Sequence, residues 1–133
     1  MDALGTQLLL EMRDCDPGLL DDLGHIQDVL LAAAVEMEAT VLGHTFHKFC
    51  PQGVTGIVAI AESHLSIHTW PEFGYAAVDI FTCGNVHPER AAGLIVSRMG
   101  SREPAIFEVK RGIMKVAGEI TLTTLGGEHK RGI

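Results

Sequence analysis

The sequence is poor in several things, and each shortage excludes something. No long apolar run is present: the longest, Val29 to Val35, falls far below the roughly 18 residues that a membrane-spanning helix needs. Bases are scarce, with 10 Lys and Arg against 17 Asp and Glu, a net charge of −7. Such a chain repels phosphate backbones, so nucleic acid is not an expected partner. Aromatic residues make up only 5%. Cysteines number three, an odd count, and the opening Met-Asp-Ala-Leu-Gly has no basic flank before an apolar stretch, so it does not read as a signal peptide. Together these predict reduced thiols and a cytoplasmic protein that does not associate with membranes.

What is present is ordinary for a globular domain. The chain has 133 residues, of which 47% are apolar and 20% charged, enough for a single domain spanning 1–133. Charge is uneven: residues 1–62 hold ten acids against Arg13 and Lys48, whereas residues 63–133 hold seven acids against eight bases. Two oppositely biased halves attract each other weakly, and salt screens the effect.

Periodicity supplies the elements. Gln7 to Met12 reads as a strand, and Asp16-Pro17-Gly18 as a capped turn. From Leu19 to about Ala39 the apolar residues Leu23, Ile26, Leu30, Ala33, Ala34 and Met37 recur at three and four, which predicts one helix. Thr40 to Phe49 alternates, with Val41, Gly43, Thr45, His47 and Phe49 on one face. Val54 to Ala61 is apolar and β-rich, Leu65 to Trp70 alternates again, and Tyr75 to Cys83 places Val78 and Ile80 inward. A second helix is predicted to start between Asn85 and Pro88 and run to Met99, with a last strand at Ala105 to Lys110 and a loose tail over 114–133. The repeated Lys-Arg-Gly-Ile at 110–113 and 130–133 is read as coincidence. The order β-α-β-β then β-β-α-β predicts an α+β fold, a two-layer α/β sandwich whose antiparallel sheet carries two helices on one face. The other face is left open. The alternation puts His64, His68 and Cys83 on it.

The stretch from Glu62 to Glu72 packs two serines, two histidines and two carboxylates around one short strand. Buried without partners, such groups cost about 2–7 kcal/mol each. Several readings fit. His64, His68, Glu72 and Cys83 are all metal-ligand types, although two histidines four residues apart on a strand lie about 13 Å apart. Ser63 or Cys83 suits a hydrolytic nucleophile with His68 as base, without the Gly-x-Ser-x-Gly elbow. The histidines and the cysteine also suit a purely structural role in a binding module. Finally, a serine hydroxyl can attack the preceding carbonyl, and β-elimination from the resulting ester breaks the chain.

The residues Phe46-His47-Lys48-Phe49, Pro51-Gln52-Gly53-Val54-Thr55-Gly56, Ala61 to Glu72 and Gly74 to Gly84 make the chain similar to the prokaryotic, pyruvoyl-dependent S-adenosylmethionine decarboxylase proenzymes, over about Leu4 to Ile113. The resemblance implies autocleavage between Glu62 and Ser63, giving a β chain of 1–62 and an α chain of 63–133. Ser63 becomes the pyruvoyl group, the cofactor that forms a Schiff base with the substrate amine and accepts the electrons left by CO₂. His68 is implied as the processing base and Cys83 as the donor that protonates the substrate carbon. Thr55 stands where the family usually has serine; its hydroxyl supports processing, while its methyl stiffens χ1 and predicts slower cleavage. Glu72 matches the carboxylate that holds the ribose, and Phe49 the ring that stacks on the adenine, with His68 on the other side. Phe49, and with it Trp70 or Phe46, offers a ring face to the sulfonium. Asp79 reads as a structural acceptor; His44, His47 and His87 as surface or strand histidines; Cys15 and Cys50 as bystanders. The expected activity is decarboxylation of S-adenosylmethionine to S-adenosylmethioninamine for spermidine biosynthesis, by a homodimer of αβ protomers without metal. A pyruvoyl-dependent arginine decarboxylase on the same scaffold, or an unprocessed binding or regulatory paralogue, are the alternatives.

Overall fold

A computed structural model describes residues 3–113; the predicted tail over 114–133 lies outside them. The chain runs β1 (Gly5–Arg13), α1 (Pro17–Leu20), α2 (Leu23–Glu36), β2 (Thr40–Lys48), β3 (Val54–Ala61), β4 (Ser63–Trp70), a 3₁₀ turn (Pro71–Phe73), β5 (Tyr75–Thr82), α3 (Pro88–Met99) and β6 (Glu103–Arg111). The six strands form one sheet in the order β2-β3-β4-β5-β1-β6. Every pairing in it is antiparallel. This is the predicted α+β sandwich, with a one-turn α1 added to the two long helices.

Alternation decides what is buried. Leu8, Leu10 and Met12 on β1, Leu65 and Ile67 on β4, and Ala76, Val78 and Ile80 on β5 point to the helices. They meet Ile26, Val29, Leu30 and Ala33 of α2 and Ala91, Ala92, Ile95 and Met99 of α3, all fully or nearly fully buried. Among the described residues, no helix lies over the opposite sheet face. Leu9, Ile57, Phe107 and Val109 stand exposed there, with Ile57 at 49% and Phe107 at 56%.

Two sequence expectations are corrected. The helix predicted from Leu19 onward is two helices, because Asp22 leaves the helical conformation and its carboxylate caps α2 by accepting the His25 N–H at 3.0 Å. A capping aspartate starts a helix and interrupts whatever precedes it. The alternation predicted for Thr40–Phe49 slips at a bulge between Val41 and Gly43, so Val41 shares the helix-facing side with His44, Phe46 and Lys48. One extra residue in a strand flips every later side chain.

On that side the Phe46 ring lies flat against Gly56, its cross-strand partner. A methyl group at Gly56 would overlap the ring. Gly56→Ala should therefore lower stability by about 1–3 kcal/mol, the usual cost of overpacking. Urea unfolding checks this, and an unchanged midpoint would show that Phe46 moves aside freely.

Candidate active site

The predicted residues fall into two clusters at opposite ends of the β3–β4 hairpin. The first lies at the turn. Ser63 opens β4 directly after the turn residue Glu62, opposite Thr82 of β5. Its Oγ lies 3.9 Å from the Sγ of Cys83. Cys83 is one residue past β5, so the alternation that placed it on the open face does not reach it; its thiol turns to Ser63 at the sheet end. Gly5 makes room for this contact. A Cβ there would come within 3.0 Å of the Thr82 carbonyl oxygen and 3.2 Å of Cys83 Sγ.

The second cluster lies at the far end of the hairpin, where His47, Thr55 and His68 stand side by side on β2, β3 and β4. Thr55 Oγ1 and His68 Nδ1 are 3.0 Å apart, a hydrogen bond that orients the imidazole. Phe49 sits edge-on to His47, with ring centroids 4.5 Å apart, and is 47% exposed. Its backbone is held by a turn, the Phe49 N–H donating to Gly53 O at 2.8 Å. That turn is anchored in turn by Asp21, which accepts the Gly53 N–H at 2.9 Å and pairs with Lys48 at 2.8 Å. Lys48 chiefly, together with the Gly53 N–H, holds the Asp21 carboxyl below its ordinary range. Glu72 is exposed in the 3₁₀ turn that follows β4. The start of that turn is set by buried Thr69, whose hydroxyl donates to Leu20 O at 2.7 Å and accepts the Val54 N–H at 2.9 Å.

Ser63 and His68 are not brought together within one chain. Five residues separate them on a regular strand, roughly 16 Å. The same distance removes the hydrolase reading with Ser63 and His68 as partners. His64 is held by Asp79 at 2.8 Å, and among the described residues no three His, Cys, Asp or Glu side chains converge as a metal site. Phe46 packs toward the helices and leaves the site, whereas Trp70 lies on the open face against Tyr75, with ring centroids 5.4 Å apart. Cys15 is buried, and burial pushes its thiol up; Cys50 is exposed.

On the open face, a shallow depression of about 400 Å³ lies over Ser66 and Ala77, walled by His68, Glu11, Gln7 and Asp79. A larger concavity of about 680 Å³, beside Phe73 and Arg102, contains none of the predicted site residues. Sequence reasoning missed Glu11 and Tyr75 at this face. The Tyr75 hydroxyl donates to Glu11 Oε2, and burial, then the carboxylate, pushes the phenol up to about 12 from 10. Because the folded value is the higher one, the stability it contributes is present below pH 10 and is lost as pH rises toward 12. Tyr75 is the only tyrosine in the chain, so absorbance at 295 nm during alkaline titration reads it directly. Tyrosinate should form near pH 12 in folded protein; a midpoint near 10 would show that the Glu11 contact does not persist in solution.

Comparison with known proteins bears on this arrangement. The model of the S-adenosylmethionine decarboxylase family matches residues 6–112. The S-adenosylmethionine decarboxylase proenzyme of Thermodesulfovibrio yellowstonii is 49% identical over 120 residues, covering 90% of this chain and 89% of that protein. The proenzyme of Caldanaerobacter subterraneus is 48% identical over 116 residues, 86% of this chain and 94% of its own. The crystal structure of the adenosylmethionine decarboxylase of Aquifex aeolicus superposes with a TM-score of 0.79 at 33% identity, over 91% of this chain and 99% of that one. Fold and relatives thus agree on the class, a decarboxylase made as a proenzyme. The chain belongs to the S-adenosylmethionine decarboxylase family.

Proposed function

We propose that this protein decarboxylates S-adenosylmethionine with a pyruvoyl group that it makes from its own Ser63, and that each complete active site is assembled from two copies of the chain. The observation that carries the reading is the division of the site residues. Glu62, Ser63 and Cys83 lie at one end of the β3–β4 hairpin, and Phe49, Thr55, His68 and Glu72 lie at the other. Two chains packed through their open sheet faces, with hairpins running in opposite directions, bring the turn of one against the far end of its partner. The same packing covers Leu9, Ile57, Phe107 and Val109, exposed in the single chain. A two-fold axis then makes two equal sites.

The residues present fit a pyruvoyl group. Ser63 is half-buried at a turn, and among the described residues the partner of its hydroxyl is the Cys83 thiol, 3.9 Å away. In the first step its Oγ attacks the Glu62 carbonyl carbon; the C–N bond breaks as the ester C–O bond forms, and the hydroxyl proton passes to the freed nitrogen. His68 of the partner subunit, oriented by Thr55, then removes the Ser63 α-proton, and β-elimination releases the Glu62 carboxylate, leaving 1–62 and 63–133 as separate chains with a dehydroalanine at residue 63; this tautomerises to an imine, and water hydrolyses it to the carbonyl of the pyruvoyl group with loss of ammonia. The cut does not loosen the fold, because β3 and β4 remain paired from Thr55–His68 to Ile60–Ser63. When formed, the pyruvoyl group supplies an electron sink for the pair left when CO₂ departs.

The chain's own residues do the rest. Phe49 and His68 offer flat faces to the adenine, Glu72 accepts hydrogen bonds from the ribose hydroxyls, and acidic surroundings suit a cationic substrate. Cys83 donates a proton to the substrate α-carbon. The product is an aminopropyl donor, which serves spermidine biosynthesis in the cytoplasm. The relatives described above are named for S-adenosylmethionine and not for arginine, which favours this substrate over the arginine alternative.

Intact mass under denaturing conditions tests the reading. Wild-type protein should give two masses meeting at Glu62-Ser63, the C-terminal one blocked by a carbonyl, and Ser63→Ala should give one mass and no activity. A single wild-type mass would support the unprocessed paralogue, and cleaved Ser63→Ala protein would move the cleavage site elsewhere.

A further inference from the structure

Ser63 has a backbone φ of +122°, which side-chain-bearing residues seldom adopt. Such a conformation persists only where the surroundings hold it, and it concentrates at functional sites. Its own side chain cannot supply the hold, since its recorded partner is a sulfur 3.9 Å away. The next residue is fastened firmly. His64 Nε2 and Asp79 Oδ2 are 2.8 Å apart, and Asp79 Oδ1 accepts the Gln7 side-chain amide at 2.7 Å. Gln7 Oε1 in turn accepts from Arg111 at 2.6 Å. Four adjacent strands, β6, β1, β5 and β4, each place one residue in this chain of bonds. His64 and Gln7 both stand opposite Phe81 and both reach diagonally to Asp79; the Phe81 ring lies beside the network, 6.0 Å from the His64 ring and 5.7 Å from the Arg111 guanidinium. None of these four residues has a part in the chemistry described above.

We propose that the His64–Asp79 pair is a clamp that holds Ser63 in the backbone conformation from which the chain cleaves itself. The inference rests on the reading that Ser63 is the self-cleaving residue. The ionised carboxylate only accepts, so it fixes the imidazole with its Nε2–H toward Asp79. Fixing the side chain of residue 64, on a backbone already paired with Ile60 and Thr82 at Ser63, limits how far the peptide plane that the two residues share can turn. The strained backbone at Ser63 is relieved when its Oγ bonds to the Glu62 carbon and the nitrogen departs as an amine, so the clamp favours the ester over the amide. His64 and Asp79 are positioning residues, acting only through Ser63.

The test follows cleavage over time by intact mass in freshly synthesised full-length chains, comparing wild type with Asp79→Asn, His64→Ala and the double variant. Hydroxylamine is added in parallel; it attacks the Glu62–Ser63 ester and releases a fragment that begins with serine rather than with a carbonyl. Each single variant should cleave about tenfold more slowly, which is about 1.4 kcal/mol of barrier, with the serine-ended fragment reduced in proportion. The double variant should be no slower than either single one, because both remove the same clamp. Wild-type rates in the single variants, or slowing that multiplies in the double, would overturn the clamp. If Asp79→Asn does not fold, Gln7→Met removes the outer support alone: slower cleavage supports the clamp, and an unchanged rate overturns it. An uncleaved wild type would instead defeat the underlying reading of Ser63.

Discussion

Chains carrying Ser63→Ala and chains carrying His68→Ala, made together in one cell, should cleave where neither does alone. Each variant by itself loses processing: the first has no hydroxyl to attack Glu62, and the second lacks the base, a loss of about 10²–10⁴ in rate. In a mixed dimer one of the two sites combines the intact Ser63 of one chain with the intact His68 of the other. With random pairing about half of the His68→Ala chains find such a partner, and these should be cut. Tags of different length on the two chains allow intact mass to show which one was cleaved. The roughly 16 Å between Ser63 and His68 on one strand makes this outcome necessary if His68 is the base. Wild-type cleavage of His68→Ala alone would remove His68 from that role, and absence of rescue in purified mixed dimers would exclude a site shared between chains.

The second large effect is expected at Cys83. Cys83→Ala removes the thiol at the Ser63 end of the site and leaves Thr55 and His68 untouched. Decarboxylation per cleaved chain should fall by about 10²–10⁴, the usual contribution of a positioned acid. Counting only cleaved chains separates this from any slowing of maturation, since the thiol also lies within 3.9 Å of the Ser63 hydroxyl. Cys83→Ser, which keeps a proton on a weaker acid, should fall between the two. Unchanged turnover in Cys83→Ala would assign the proton to another group.

Much of the fold was legible because burial follows alternation. Leu65, Ile67 and Thr69 point inward along β4 as their spacing implied, and Pro88 begins α3 as a proline at the first helical position should. The failures are local and have physical causes. Asp22 sits inside a stretch with helical spacing, yet its capping bond breaks that stretch in two. The bulge at Leu42 leaves no trace in an alternating pattern, because either phase reads as plausible there. At the site, the types of residue were readable but their distances were not. Ser63 and His68 are close in sequence, and only a straight strand reveals that they are far apart. The His64–Asp79 pair needed the register of β4 against β5, since the two residues are diagonal rather than opposite. Asp79 was expected as an acceptor, and the structure supplies the donors, His64 and Gln7.

On the proposed reading, the two ends of one hairpin carry halves of a reaction that neither half performs. Where assembly of the two chains is the slow step, maturation on that reading should be second order at low abundance: doubling the newly made chain should quadruple the rate at which the first cuts appear. The hairpin's length would thereby tie the onset of activity to the amount of chain present, through the spacing of residues along a strand.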